Sequence, residues 1–180
     1  MRSQAWVFRV WMVVLLAGVP ALAQEAVFLL DGRLSFNMPT GFRAWTDEEI
    51  FLKYPNARPP QHVYANELGS VSIAVTYSET AIAPAQLADL RSTMEQLLPR
   101  TIPGLEWIAR ETMDINGQPW VHFEFTSLAI DTEIHNDMYM TSLDGRMLAI
   151  NMNSTEAEYA VVRGALARSR NTLRVGGSAN

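Results

Sequence analysis

The segment from Met138 to Met152 constrains the fold more than any other part of the sequence. Asp144 and Gly145 at its centre tolerate positive φ and favour a two-residue β-hairpin turn. A turn there predicts the residue pairs Leu143–Arg146, Thr141–Leu148 and Tyr139–Ile150. One face of this hairpin then carries Tyr139, Leu143, Leu148, Ile150 and Met152, and the other carries Met138, Met140, Met147 and Ala149. Because both faces are apolar, each needs a cover.

Three helices are predicted to supply that cover. Thr46 and Glu49 have the spacing of a capping box at the start of a short helix over 46–53. A second helix is predicted over 84–98, where Pro99 ends the apolar pattern, and a third over 155–172. The sequence therefore predicts an α+β fold, an α/β/α sandwich around a central antiparallel sheet.

The remaining segments favour strands and turns. Alternation and turn residues predict strands at 33–38, 61–67 and 70–77, followed by an antiparallel meander over 105–153. Asn116-Gly117 is a second hairpin signal inside the meander. A looser turn is expected near 127–131.

The first 23 residues have the pattern of a secretory signal peptide. Arg2 and Arg9 precede the apolar run over 10–17, which is too short to span a bilayer, and Ala21-Leu22-Ala23 forms a small-x-small cleavage site. Cleavage after Ala23 would make Gln24 the first residue of a periplasmic or secreted protein. We expect residues 24–175 to form one domain and residues 176–180 a disordered tail. No second apolar segment is long enough for a transmembrane anchor.

Composition excludes several classes of function. Without Arg2 and Arg9, 12 basic residues face 19 acidic ones, so nucleic acid is a poor partner for the mature chain. The sequence contains no cysteine, which rules out disulfides, thiol nucleophiles and a lipid-attachment cysteine.

Ionisable residues at alternate positions from Asp131 to Asp137 form the strongest candidate site. On a strand they share one face, and a turn near 129–130 places Glu124 opposite His135 and His122 opposite Asp137. The four residues His122, Glu124, His135 and Asp137 are a permissible ligand set for a divalent metal. The alternative is a solvated or partner-facing strand surface, since no compact metal-binding motif is present.

Five further residues are candidates for contact with a protein partner. Glu133 lies on the ionisable face, and Trp120 shares its side of the strand with His122 and Glu124, where an exposed Trp would anchor an interface. The alternative for Trp120 is that it packs beneath a helix, since large aromatic side chains are buried on average. Tyr54, Arg58 and His62 belong to a proline-containing loop whose restricted backbone lowers the entropy cost of binding. The alternative for this loop is a plain surface connection.

No motif for catalysis or cofactor binding was identified. The sequence has no G-x-S-x-G nucleophile elbow and no glycine-rich phosphate loop between a strand and a helix. We therefore expect a protein that is not an enzyme and needs no cofactor.

The order of elements resembles the Mog1/PsbP-like group, which includes bacterial DcrB-type domains. The matching residues are Pro39-Thr40-Gly41-Phe42 with Trp45 shortly after, Ile115-Asn116-Gly117-Gln118-Pro119 and Asp144-Gly145-Arg146. The resemblance covers about residues 28–174 and implies an α/β/α sandwich. Members of the group whose roles are known act mostly by binding. The resemblance therefore implies an exported accessory protein, for example an immunity-type protein, that contacts an envelope or secreted protein. A metal-binding protein is the alternative.

Overall fold

The structure is a computed structural model that describes residues 24–55, 58–130 and 132–176. The predicted signal peptide, the tail from residue 177 and Asp131 of the ionisable segment lie outside the described residues. The strands are β1 Ala26–Leu29, β2 Leu34–Asn37, β3 Arg43–Ala44, β4 His62–Ala65, β5 Val71–Ala81, β6 Glu106–Ile115, β7 Gln118–Leu128, β8 Glu133–Leu143, β9 Arg146–Thr155 and β10 Arg174–Val175. The helices are α1 Asp47–Lys53, α2 Leu87–Thr101, which follows a 3-10 turn at Pro84–Gln86, and α3 Glu156–Asn171.

A seven-stranded antiparallel sheet lies at the centre of the fold, in the order β3-β4-β5-β9-β8-β7-β6. The register predicted for β8 and β9 is confirmed, since Leu143 pairs with Arg146 and Tyr139 pairs with Ile150. Asp144 and Gly145 have φ of 51° and 75° at the turn, as do Asn116 and Gly117 with 54° and 85°. Positive φ at both central residues is what a tight turn needs to match the twist of its strands.

Both faces of the sheet are buried, as predicted. On one face α3 packs over a core that contains Tyr139, Leu148 and Ile150. On the other face α2 covers Phe123, Phe125 and Met140, and α1 covers Val63 and Ala74. The α/β/α sandwich is thus confirmed.

A second sheet contributes to the cover on the α3 side, which the sequence analysis did not predict. β1, β2 and β10 form three antiparallel strands, and Leu34 and Phe36 of β2 pack into the same core as Tyr139. The predicted strand at 33–38 therefore belongs to the covering layer. The turn before it has positive φ at Leu30 and Asp31, of 54° and 58°, which sequence patterns rarely indicate for leucine.

The prediction that Pro99 ends the second helix was wrong. α2 continues through Pro99 to Thr101, and Ile102 N–H donates to the carbonyl of Leu98 at 2.9 Å. Buried Leu98 and the partly buried Ile102 pack against the α2 core. Their burial compensates for the single backbone hydrogen bond that a proline so near the end of a helix removes.

Polar contacts hold the C-terminal end of α3 over the sheet. Ser169 Oγ donates to the carbonyl of Asn37 at 2.6 Å, and the Asn37 N–H donates to Thr172 Oγ1 at 2.8 Å. Asn116 Nδ2 donates to the carbonyls of Asn171 and Leu173 at 2.9 and 2.8 Å. These contacts fix how α3 crosses β7 and β8, where the ionisable residues lie.

The capping box predicted for α1 is present and leads to a first test. Thr46 N–H donates to Glu49 Oε2 at 2.8 Å, and Glu49 N–H donates to Thr46 Oγ1 at 3.3 Å. Because Thr46→Ala removes the acceptor, it should lower the free energy of unfolding by about 1 kcal/mol in urea denaturation. Thr93→Ala, at an exposed position inside α2, is the matched control and should cause no loss. An equal effect of the two substitutions would contradict the role of the cap.

Candidate functional site

Two histidines and their carboxylate partners lie between the sheet and α3. On β7, Phe123 and Phe125 face α2, so the alternate residues His122 and Glu124 face α3. His135 of β8 lies on this side as well, since its ring stacks on Tyr159 of α3. The shared face predicted from the sequence is therefore present, but α3 covers it, and both histidines are buried.

The predicted pairing of β7 with β8 was wrong by two residues. Glu124 pairs with Asp137, His122 with Tyr139 and Thr126 with His135. The connecting loop is centred one residue later than expected, since Leu128 pairs with Glu133, and Ala129 N–H donates to the carbonyl of Thr132 at 2.8 Å. A shift of two residues keeps every side chain on its face, so the predicted residues still meet, diagonally across the strands.

His122 is held between two carboxylates. Its Nε2 lies 2.6 Å from Asp137 Oδ1, and its Nδ1 lies 3.2 Å from Glu111 Oε1 on β6. The imidazole also stacks on the Tyr139 ring, with the centroids 4.7 Å apart. Every polar contact of this ring among the described residues is with an acidic side chain.

His135 has the same arrangement and joins the sheet to α3. Its Nε2 lies 2.9 Å from Glu124 Oε1, and its Nδ1 lies 3.2 Å from Oε2 of Glu156, the first residue of α3. The ring stacks on Tyr159, with centroids 3.4 Å apart, and the Tyr159 hydroxyl donates to Glu124 Oε1 at 3.0 Å. The sequence analysis did not select Tyr159, whose contact with Glu124 depends on how α3 packs on the sheet.

Local electrostatics favour the charged form of His122. Glu124 and Asp137 are direct cross-strand neighbours, and two like charges at such positions repel. Burial lowers the pKa of His122, but hydrogen bonds and charge from Asp137 and Glu111 outweigh burial and raise the pKa above its ordinary value. Burial and the hydrogen bond to Glu124 raise the pKa of Tyr159 to about 12, so this hydroxyl remains a donor.

The geometry does not gather the predicted metal ligands around one point. Within the described parts of the chain, no three His, Asp or Glu side chains are placed to hold a metal ion. His122 and His135 are instead each engaged at both ring nitrogens by carboxylate oxygens. The arrangement is that of two histidine–carboxylate clusters that tie β6, β7, β8 and α3 together.

A cavity of about 250 Å³ opens beside these clusters, between α3 and the sheet. Its lining includes residues that the sequence analysis did not select, because helix and sheet residues far apart in sequence meet only in the fold. The charged and polar side chains that line it are His122, Glu124, Asp137, Tyr159, Arg163 and Arg170.

The other residues selected from the sequence lie apart from this cavity. Trp120 is fully buried in the core on the α3 side, and its Nε1 has no hydrogen-bond partner among the described residues. Glu133 is exposed at the start of β8. Tyr54 packs against the small core under α1, Arg58 is exposed, and His62 is half-buried at the start of β4.

The position of His122 predicts a pH dependence of stability. A folded-state pKa above the unfolded value means that the stabilisation is complete at low pH, below the unfolded pKa of about 6.5, and is lost as pH rises through the folded pKa. The loss of unfolding free energy caused by His122→Gln should therefore be larger at pH 5.5 than at pH 9, measured by urea denaturation. Thr93→Ala, which removes no titratable group, is the control, and its effect should be the same at both pH values. A His122 effect that is equal at both pH values, or larger at pH 9, would contradict this assignment.

No helix within the described residues is long and apolar enough to cross a membrane. No protein-family profile matches the sequence, and no curated protein matches it either.

Solved structures with the same arrangement of elements were found. The chain is similar to the solution structure of cyanobacterial PsbP (CyanoP) from Synechocystis sp. PCC 6803, with a TM-score of 0.62 and 15% identity over 88% of this chain and 96% of that one. It is also similar to LpqN, involved in cell envelope biogenesis of Mycobacterium tuberculosis, with a TM-score of 0.59 and 11% identity over 86% of this chain and 91% of that one. A putative regulator of unknown function from Pseudomonas aeruginosa matches with a TM-score of 0.53 and 13% identity over 86% of this chain and 99% of that one. In its fold the chain is a Mog1/PsbP-like domain.

Proposed function

We propose that this chain is an exported accessory protein without catalytic activity, which acts by binding another protein of the envelope or a secreted protein. The observation that carries the proposal is an exposed apolar surface around α1. Phe51, Leu52 and Leu68 are 65%, 72% and 84% exposed. Leu52 and Leu68 lie with Trp45 around one groove, and these three residues form what we call the α1 surface. Exposed apolar side chains grouped around a groove are typical of sites that bind proteins.

The α1 surface surrounds a groove that the local fold keeps open. Trp45, Leu52 and Leu68 line a depression of about 350 Å³, with Arg43 and Glu67 among the polar residues beside it. Gly69 has a φ of 67°, and a Cβ there would lie 2.9 Å from the Trp45 ring. Glycine at this turn therefore leaves room for the indole.

The proline-containing loop selected from the sequence begins directly after α1. Arg58 is exposed in that loop, while Arg43 and Glu67 are the charged residues that line the groove itself. Tyr54 is turned inward and supports α1, so its contribution to a contact is indirect. An apolar centre with charged groups at its margin is the usual composition of a protein interface.

The two histidine–carboxylate clusters support a role in binding and not in catalysis, because neither histidine is hydrogen-bonded to a nucleophile in the part of the chain that the structure describes. The ring nitrogens of both buried histidines are paired with carboxylates. Among the described residues, no hydroxyl of Ser, Thr or Tyr is hydrogen-bonded to a ring nitrogen of either histidine. Nucleophilic catalysis by such histidines would require a nucleophile within hydrogen-bond reach.

The partner we propose carries an apolar contact residue and a net positive charge. The net charge of the chain is −5 with its first residues included, so long-range attraction favours a basic protein. A secreted toxin held inactive by an immunity-type protein is one partner of this kind. LpqN, one of the similar structures, is described as involved in cell envelope biogenesis.

Substitutions on the α1 surface test the protein-binding proposal. A variant with Leu52→Glu and Leu68→Glu places charge on the groove, and it should reduce capture of the partner from envelope extract of the native organism at least tenfold, measured by quantitative mass spectrometry. Val161→Glu is the matched control, because Val161 is 85% exposed on α3, away from this groove. Equal capture by the wild type and the double variant would contradict the proposal, as would the absence of any specific partner.

Export can be tested separately through the N-terminus. We propose that residues 1–23 are removed and that residues 24–175 form the working domain. Mass spectrometry of the protein from a periplasmic fraction should find Gln24 as the first residue. An intact Met1 in the membrane or cytoplasmic fraction would contradict export by cleavage.

A further inference from the structure

The cavity between α3 and the sheet has a volume of about 250 Å³. The two histidine–carboxylate clusters do not engage all of the charged groups that line it. Pockets for drug-sized ligands span about 300–1,000 Å³, so this cavity suits a smaller molecule. Glu124 and Asp137 of the sheet line one side, and Arg163 and Arg170 of α3 line the other.

The two carboxylates each keep one oxygen without a hydrogen-bond donor from the described residues. Glu124 Oε1 accepts from His135 and Tyr159, and Asp137 Oδ1 pairs with His122, whereas Glu124 Oε2 and Asp137 Oδ2 receive none. Side-chain exposures of 21% and 17% show that both carboxylates remain accessible from the cavity. An ammonium group, with its three donors, is the natural partner for two such oxygens.

The two arginines likewise lack a carboxylate partner. They are seven residues apart on α3 and therefore lie on the same side of the helix. Neither lies within 4.0 Å of a carboxylate among the described residues. Arg170 instead contacts the Asn171 amide oxygen at 2.9 Å and the Tyr139 hydroxyl at 3.5 Å. Guanidinium groups bind carboxylates through paired N–H donors.

Gly164 leaves one part of the α3 side of the cavity without a side chain. A glycine inside a helix costs about 1 kcal/mol relative to alanine. Its backbone does not require glycine, since its φ is not in the left-handed region, and a Cβ there would meet only Arg168 Nη1, at 3.6 Å. Helix geometry and close packing therefore do not account for glycine here, whereas an open cavity wall does.

We infer that this cavity binds a small zwitterion, namely a free α-amino acid, whose ammonium group contacts Glu124 and Asp137 and whose carboxylate contacts Arg163 and Arg170. A simple anion can pair only with the guanidinium groups and a simple cation only with the two carboxylates, so each leaves the opposite side of the cavity without a partner. A ligand whose ammonium and carboxylate groups are bonded to the same carbon atom can contact both sides at once. The site is separate from the α1 surface, because Val63 and Ala74 under α1 lie on the opposite face of the sheet.

Isothermal titration calorimetry of the purified protein with the common L-amino acids tests this inference. At least one amino acid should bind saturably, with a Kd of about 1 mM or below. For that amino acid, the amine that lacks its carboxylate and the acid that lacks its ammonium group should each bind at least tenfold more weakly. No saturable binding at about 10 mM of any amino acid, or equal binding of the amine or the acid, would overturn the inference.

Variants of α3 locate the binding in this cavity. Gly164→Leu fills the opening and should abolish binding, while Arg163→Gln removes one guanidinium without filling space and should weaken binding about tenfold. Arg100→Gln, the same charge change at an exposed position of α2 and outside the lining, should bind as the wild type does. Circular dichroism establishes that each variant is folded, and if Gly164→Leu is not, Arg163→Gln decides. Wild-type affinity in the folded variants would overturn the assignment to this cavity.

Discussion

The burial of both faces of the β7–β8–β9 meander is the constraint on which the rest of the structure depends. Alternate residues of one strand must satisfy two different environments, so Phe123 and Phe125 pack beneath α2 while His122 and Glu124 lie beneath α3. Neither layer can be removed without exposing apolar surface to water. The positions of α2 and α3, and with them the cavity and the clusters, follow from this requirement.

The layer beneath α3 combines an apolar core with charged groups that have little access to water. Glu124 and Asp137 face each other across adjacent strands, an arrangement that destabilises a sheet unless donors separate the charges. His122, His135 and Tyr159 supply those donors. Buried ion pairs of this kind are a weak source of net stability, but breaking one leaves an uncompensated charge. These buried contacts make the orientation of α3 specific, since His135 on the sheet contacts Glu156 in the first turn of that helix.

Local signals in the sequence predicted local structure well. Asn116-Gly117 and Asp144-Gly145 form tight turns with positive φ, and Thr46 and Glu49 form the capping box, because in each case neighbouring residues determine the backbone. The pairing of β7 with β8 was missed by two residues, since the sequence between Leu128 and Glu133 carries no equally specific turn signal. The shift changed which residues are directly opposite but not which face they occupy, so His122 and Asp137 were still placed together.

The sequence by itself determined the alternation of the strands, the two tight hairpins, the three helices and the gathering of His122, Glu124, His135 and Asp137 on one face. These follow from side-chain periodicity and turn chemistry, which act over a few residues. Only the tertiary structure decided that α3 covers that face, that Glu111, Glu156 and Tyr159 complete the clusters, and that β1, β2 and β10 form a second sheet. These contacts join residues distant in the chain, and their geometry depends on how whole layers pack.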